Sequence, residues 1–153
     1  DNDDKVDEIQ TLATGFGRFD THAGPSSLFF GPDHAIWGSV GYSAFTRADG
    51  SKFGSGLWKL DPSQGEPQFV AQFTNNTWGI GVRADGEVFG STANGAPSFF
   101  VGASRLDLGK SSPDHAGAAP VHDSAWVFPI MAEIRQGDWL GQYTAAAGHS
   151  FAT

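Results

Sequence analysis

The sequence predicts an all-β fold, and its composition and its turn residues both point that way. Its 153 residues include 21 Gly, 13 Phe and 5 Trp, while Leu, Ile, Val and Phe together supply only 33 positions. Aromatic side chains bury about 150–250 Å² each and can fill a core that has few aliphatic residues. Short apolar runs recur between Gly, Pro, Asp and Asn, which is the pattern of strands joined by turns.

Two stretches of the sequence show this strand and turn pattern most clearly. Leu28–Phe30 is followed by a Gly-Pro-Asp-His turn and then by Ala35–Ser39. Further along the chain, Ile80–Val82 is followed by Arg-Ala-Asp-Gly and then by Glu87–Ser91. Each stretch therefore predicts two strands joined by a tight turn.

An internal repeat relates the two stretches. At an offset of 52 residues (85 − 33), Asp33 aligns with Asp85 and Trp37 with Phe89. Short strands repeated at such a period are typical of the β-propeller, in which each four-stranded blade buries its faces against neighbouring blades. We therefore expect residues 1–153 to form a partial β-propeller, with blade one at about 24–73, blade two at about 76–135 and the start of a third blade at 148–153.

The outer part of each unit differs in how clearly it can be predicted. In the first unit, Gly56–Pro62 and Gln68–Phe73 flank a Ser-Gln-Gly-Glu turn and predict a hairpin. In the second unit, residues 102–129 fit the repeat poorly and include the Ser-, Ala- and Pro-rich run 111–120, so we expect an irregular loop there. Such a loop is either functional or a tolerated insertion.

Charge and cysteine content exclude several classes of function. The chain has 17 acidic and 9 basic residues and no clustered Lys and Arg, so we expect no nucleic-acid partner. The absence of cysteine excludes disulfides, cysteine zinc sites and c-type haem attachment within these residues. No apolar run reaches about 18 residues, so we expect no membrane span in this chain.

The first residues of the chain form a candidate calcium loop. Asp1, Asp3 and Asp7 place carboxylates at positions 1, 3 and 7, and calcium loops place oxygen ligands at alternate positions so that they converge on one cation. Asp4 occupies the place of the loop glycine, so an acidic, solvated segment without an ion is the alternative.

Six short motifs carry a family resemblance over nearly the whole chain. The motifs are Asp20–Gly24, Phe30–Asp33, Gly56–Trp58, Asn75–Gly79, Gly90–Gly95 and Thr144–His149. They resemble, in the same order, the propeller portion of large secreted "membrane-bound dehydrogenase" or haem-binding proteins of Planctomycetes and related bacteria. That family is distantly similar to soluble aldose and sorbosone dehydrogenases, which are propellers that hold the quinone cofactor PQQ near the central axis.

The resemblance implies a sugar or alcohol dehydrogenase. It implies PQQ and calcium as cofactors, a periplasmic or extracellular location, and haem c only in a segment outside this chain. It also implies that neighbouring blades or domains of a larger protein pack against these residues. The alternative is a non-catalytic propeller that binds a carbohydrate or a protein partner.

In a propeller, the loops that enter the innermost strands line one face of the central channel. By the repeat alignment, these loops place His22, Asn76, Trp78 and His149 around one opening. A histidine with an ordinary pKa near 6.5 can accept a hydroxyl proton near neutral pH, so His22 and His149 are candidate catalytic bases. The alternative is that both imidazoles only form hydrogen bonds with the channel walls.

Four further side chains are candidate cofactor contacts, each with a structural alternative. Asn76 and Trp78 could hydrogen-bond and stack on a sugar or a flat cofactor, although a tryptophan in a strand is more often part of the core. Asn94 could bind a ligand or could occupy a turn at positive φ. Arg135 could face a carboxylate of an anionic cofactor or could pair with nearby acidic residues.

Overall fold

Short β-strands make up the regular structure of the computed structural model, which describes residues 5–73, 75–94, 98–101, 119–121 and 149–151. These residues contain one turn of 3-10 helix at Thr21–Ala23 and no α-helix, so the predicted all-β class is confirmed. The strands are β1 Pro25–Phe30, β2 Ile36–Val40, β3 Phe45–Thr46, β4 Lys52–Phe53, β5 Gly56–Leu60, β6 Gln68–Gln72, β7 Thr77–Val82, β8 Val88–Thr92, β9 Phe99–Val101 and β10 Ala119–Pro120.

The strands form three antiparallel sheets, none of which is closed. Sheet 1 has the order β1-β2-β5-β6, sheet 2 has the order β7-β8-β9-β10, and β3 pairs with β4 in a separate hairpin. All pairs of neighbouring strands are antiparallel. Sheets 1 and 2 are therefore two four-stranded meanders that follow each other along the chain.

The sequence repeat is also a structural repeat. Strand β7 begins 52 residues after β1 (77 − 25), and β8 begins 52 residues after β2 (88 − 36). The pairing register repeats as well, because Phe30 faces Ile36 in sheet 1 and Val82 faces Val88 in sheet 2. Each sheet also has a register irregularity near the start of its first strand.

The outer strands agree with the sequence analysis in sheet 1 and differ from it in sheet 2. The predicted hairpin is present, with Leu57 opposite Ala71 and Trp58 opposite Phe69. Within the segment expected to be an irregular loop, Ala119–Pro120 instead pairs with β9 as strand β10. The remainder of 102–129, apart from Val121, lies outside the described residues, as do 130–148 and 152–153.

Sheets 1 and 2 pack face to face over an apolar core. Trp37 and Leu57 of sheet 1 are buried in one cluster with Ile80 of sheet 2. The ring of Phe73, which follows β6, stacks on Phe99 with a centroid distance of 4.8 Å. The two sheets are thus joined mainly by apolar contact, which gains free energy in proportion to the area removed from water.

The far face of sheet 1, which is turned away from sheet 2, is covered by residues of the same chain. The hairpin β3–β4 contributes Phe45 and Phe53, which are buried with Trp58 of sheet 1. Phe16 packs against this cluster, and its ring centroid lies 4.9 Å from that of Phe45 and 5.0 Å from that of Trp58. The hairpin and residues 12–16 therefore stand where a neighbouring blade was expected.

An aspartate pins the turn between β1 and β2. Asp33 accepts hydrogen bonds from Trp37 Nε1 at 2.7 Å and from Lys59 Nζ at 3.1 Å. Partial burial acts to raise the pKa of Asp33, but these bonds and one from a main-chain amide outweigh it and hold the pKa below its usual value. The equivalent Asp85 of sheet 2 pairs instead with Arg83, at 3.0 Å.

Gly90 is expected to tolerate no side chain. A β-carbon at this position would overlap the ring of Phe73, which is buried and stacked on Phe99 and so has no room to move. We expect Gly90→Ala to lower the free energy of unfolding by about 1–3 kcal/mol, the usual range for overpacking. Urea denaturation monitored by tryptophan fluorescence measures the change.

Gly54→Ala is the matched control, because a β-carbon there would meet only Gln72 at an ordinary contact distance of 3.7 Å. Equal stability of the Gly90→Ala and Gly54→Ala proteins would contradict the close packing of the two sheets.

Candidate functional site

A tight turn before β1 presents the first candidate histidine. Asp20 caps the 3-10 helix at 21–23, because its Oδ1 accepts a hydrogen bond from the main-chain amide of His22 at 2.8 Å. The main-chain amide of Ala23 donates to Asp20 O at 3.1 Å. An aspartate at this position is a preferred helix cap, and the Asp-x-His spacing of the sequence produces the cap directly.

The loop after β2 fixes this turn from one side. The amides of Gly41 and Ser43 both donate to Ala23 O, at 3.0 and 3.2 Å. Ser43 Oγ donates to Asp20 O at 2.7 Å and accepts from Asp20 N at 3.0 Å. The backbone of residues 20–23 is therefore held by several bonds that are partly or fully buried.

The loop before β7 fixes the same turn from the other side. Asn76 Nδ2 donates to His22 O at 3.3 Å. The side-chain oxygen of Asn75 accepts from the main-chain amide of Asn76 at 2.7 Å and from the hydroxyl of Tyr42. Asn75 Nδ2 donates in turn to Asn94 O at 3.4 Å. We call this hydrogen-bonded group the junction; it consists of Asp20, His22, Tyr42, Ser43, Asn75 and Asn76.

The imidazole of His22 is the most exposed group of the junction. Its side chain is 82 % exposed, and Nδ1 lies 3.5 Å from Asp20 Oδ1. A carboxylate beside one ring nitrogen favours a proton on that nitrogen and leaves the other nitrogen as an acceptor. This arrangement can bind a hydroxyl group, and it can also accept a hydroxyl proton.

Trp78 lies beside the junction, half-buried in β7. Its main-chain oxygen accepts a hydrogen bond from Ser27 Oγ of β1 at 2.6 Å. Ser27 has a φ of 56°, an uncommon value for a residue other than glycine, and it falls within the register irregularity of β1. The first strands of the two sheets are thus linked directly at this point.

His149 lies away from the junction, on the far face of sheet 2, which is turned away from sheet 1. It packs against Gly81, and its ring centroid lies 6.3 Å from that of Phe89 and 6.4 Å from that of Phe151. Its Nε2 is 3.0 Å from Ser98 Oγ. The structure therefore links His22, Asn76 and Asn94 through the hydrogen bonds of the junction and places Trp78 two residues after Asn76 in β7. It places His149 among another set of residues.

The remaining candidates of the sequence analysis lie at or beyond the edge of the described structure. Asp1, Asp3 and Arg135 are outside the described residues, and Asp7 is exposed. In the part of the chain that is described, no three His, Asp or Glu side chains group as they would around a metal ion. No helix in the same ranges is long and apolar enough to cross a membrane.

Sequence reasoning did not single out Asp20 or Tyr42, and it gave Asn75 only as one of the asparagines before Trp78. Asp20 and Asn75 stand inside motifs that had been recognised, and a helix-cap pattern before His22 was a usable signal for Asp20. Tyr42 gave no such signal, because its role depends on the contact between two loops that are 33 residues apart.

Burial makes His149 a source of pH dependence. Burial lowers the pKa of His149 below its usual value, because the charged ring would lose hydration. The unfolded chain then binds a proton at higher pH than the folded chain, so the free energy of unfolding should fall as the pH drops below about 6.5.

We expect His149→Gln, which is neutral at every pH, to remove this part of the pH dependence. Urea denaturation between pH 8 and pH 5 measures it, with His34→Asn as the control at an exposed histidine outside the junction. The same slope in the His149→Gln protein and the original protein would contradict the assignment.

Comparison with known proteins gives one match. The model of the family described as "Domain of unknown function (DUF7133)" matches residues 1–153. No curated protein and no solved structure gives a significant match. The match covers the whole sequence, including both sheets and the junction, and the chain therefore belongs to the DUF7133 family.

Proposed function

We propose that this chain is part of a periplasmic or extracellular β-propeller that binds a sugar or another polyol at the junction. Two features support the propeller: the four-stranded meander repeated after 52 residues, and the contact between β1 and β7, the first strand of each unit. In a propeller, such first strands lie side by side around the central axis.

The chemistry of the junction carries the proposal of a polyol ligand. His22 and the hydroxyl of Tyr42 are exposed, and the Asp20 side chain is partly exposed. These are hydrogen-bonding groups that suit the paired donors and acceptors of sugar hydroxyls. The network of Asn75 and Asn76 below them holds this set in place before a ligand arrives, which lowers the entropic cost of binding.

The family resemblance adds PQQ and calcium, and the junction can be compared with that expectation. PQQ carries several carboxylates, which proteins usually meet with Arg or Lys. Among the described residues of the junction, none carries a fixed positive charge, and Asp20 carries a negative one. This set suits a neutral polyol better than PQQ.

Oxidation of the bound sugar or alcohol is the second candidate function, favoured by the Asp20–His22 pair. With its Nδ1 proton directed at Asp20, 3.5 Å away, His22 would accept the hydroxyl proton on Nε2. The hydride from the same carbon would pass to an added two-electron acceptor of the quinone class, which would be reduced to a quinol with the proton that His22 releases, as the sugar or alcohol became a carbonyl compound. The non-catalytic alternative needs only the binding groups.

We expect the protein to bind aldoses or polyols saturably, as measured by calorimetry over a panel of sugars. His22→Ala should weaken binding about tenfold, or about 1.4 kcal/mol, because it removes a hydrogen-bonding group from the junction. His34→Asn is the matched control, since His34 is an exposed histidine with a φ of 61° at the other end of β1, and Asn tolerates that conformation. An equal effect of both substitutions would place the ligand elsewhere.

We expect oxidation, if this protein performs it, to depend on His22 as the base. Dye reduction is followed with the sugars that bind, in the presence of added PQQ and calcium. His22→Gln should lower the turnover number by about 100-fold or more, the usual contribution of a catalytic base, and His34→Asn should leave it unchanged. Binding without turnover would leave the non-catalytic function, and neither binding nor turnover over the whole panel would contradict both.

A further inference from the structure

We propose that Asn76 is a positioning residue that orients His22, and that Gly41 is required because the Asn76 amide occupies the space of a β-carbon there. The inference rests on the proposed function for the importance of His22. Three segments of the chain meet at this point: the 20–24 turn, the loop after β2 and the loop before β7.

Asn76 is placed to act through the backbone of His22. Its side-chain amide donates to His22 O at 3.3 Å, and the residue is only 8 % exposed, so it offers little surface to a ligand. The main-chain amide of His22 is already bound to Asp20 Oδ1 at 2.8 Å. Both peptide groups of His22 are therefore held, which fixes the direction in which its side chain leaves the backbone.

Burial of the Asn76 side-chain amide has a free-energy cost that a purely structural contact would not require. Its Oδ1 is buried and has no hydrogen-bond partner within the described structure. An unsatisfied buried acceptor destabilises the folded state, and a smaller or apolar side chain would avoid that cost. The donor half of the amide is the part that is used, and it is used on His22.

Gly41 makes room for this amide. A β-carbon on Gly41 would overlap Asn76 Oδ1 and would also lie 3.0 Å from Ala23 Cα. Gly41 N meanwhile donates to Ala23 O at 3.0 Å, so the glycine cannot move away without loss of a bond to the turn. A methyl group at this position would therefore displace the Asn76 amide from His22 O.

The test measures the imidazole of His22 in the unliganded protein. Long-range ¹H–¹⁵N spectra of the neutral imidazole report which ring nitrogen carries the proton. We expect the proton on Nδ1, next to Asp20, in the original protein. Gly41→Ala and Asn76→Ala should both shift the ring toward the Nε2 proton that free imidazole side chains prefer.

Two controls separate positioning from general damage. Gly54→Ala adds a methyl group at a position with space and should leave the His22 signals unchanged. The double variant Gly41→Ala/Asn76→Ala removes the overlap, so its stability should recover toward that of Asn76→Ala while the tautomer remains altered. If Gly41→Ala fails to fold, Asn76→Ala alone decides the question.

The outcomes for this inference and for the proposed function are distinct. An Nε2 proton in the original protein, or an unchanged Nδ1 proton in Asn76→Ala, would overturn the positioning role, whatever ligand binds. The expected Nδ1 proton on His22, lost in Asn76→Ala, in a protein that binds no sugar would instead overturn the proposed function and leave the positioning role in place.

Discussion

Aromatic rings that lie on glycines set the spacing of this structure. Phe73 rests on Gly90 where the two sheets meet, and within sheet 1 the ring of Trp58 folds over its cross-strand neighbour Gly38. Each glycine removes a side chain from a strand, so a large flat ring reaches the backbone itself. The approach of the sheets brings β1 beside β7, and the junction forms only because these strands are neighbours. The glycine and aromatic content of the sequence is in this sense the origin of the candidate site.

The junction uses positions that the repeat makes equivalent but fills differently. Asn76 precedes β7 as Gly24 precedes β1, at the same offset of 52 (76 − 24). Gly24 has no side chain that could form a hydrogen bond, whereas the side chain of Asn76 donates to His22 O in the 20–24 turn. A repeat of two identical units would lack this contact. The site therefore depends on divergence between two copies of one strand pattern.

Residue patterns predicted the regular parts of the fold and missed the parts that depend on contact between distant segments. Short apolar runs and turn residues were enough to place the first two strands of each sheet, because these features are local. Strands β3 and β4 have two residues each, too few to show a period, although Phe45 and Phe53 are central to a core cluster. His149 was predicted beside His22 from its place in the repeat. The His149 side chain instead packs against Gly81, and this contact depends on which face of β7 residues 149–151 cover.

The hairpin β3–β4 makes the two outer faces of the sheet pair different. Sheet 2 has aromatic residues of β8 and β9 on its far face, whereas sheet 1 meets anything beyond it through a two-stranded cover and residues 12–16. On the far face of sheet 2, His149 and Phe151 pack against Gly81 and Phe89. The two outer faces of the sheet pair are therefore not interchangeable, and any further sheet that packed on this pair would meet a different surface on each side.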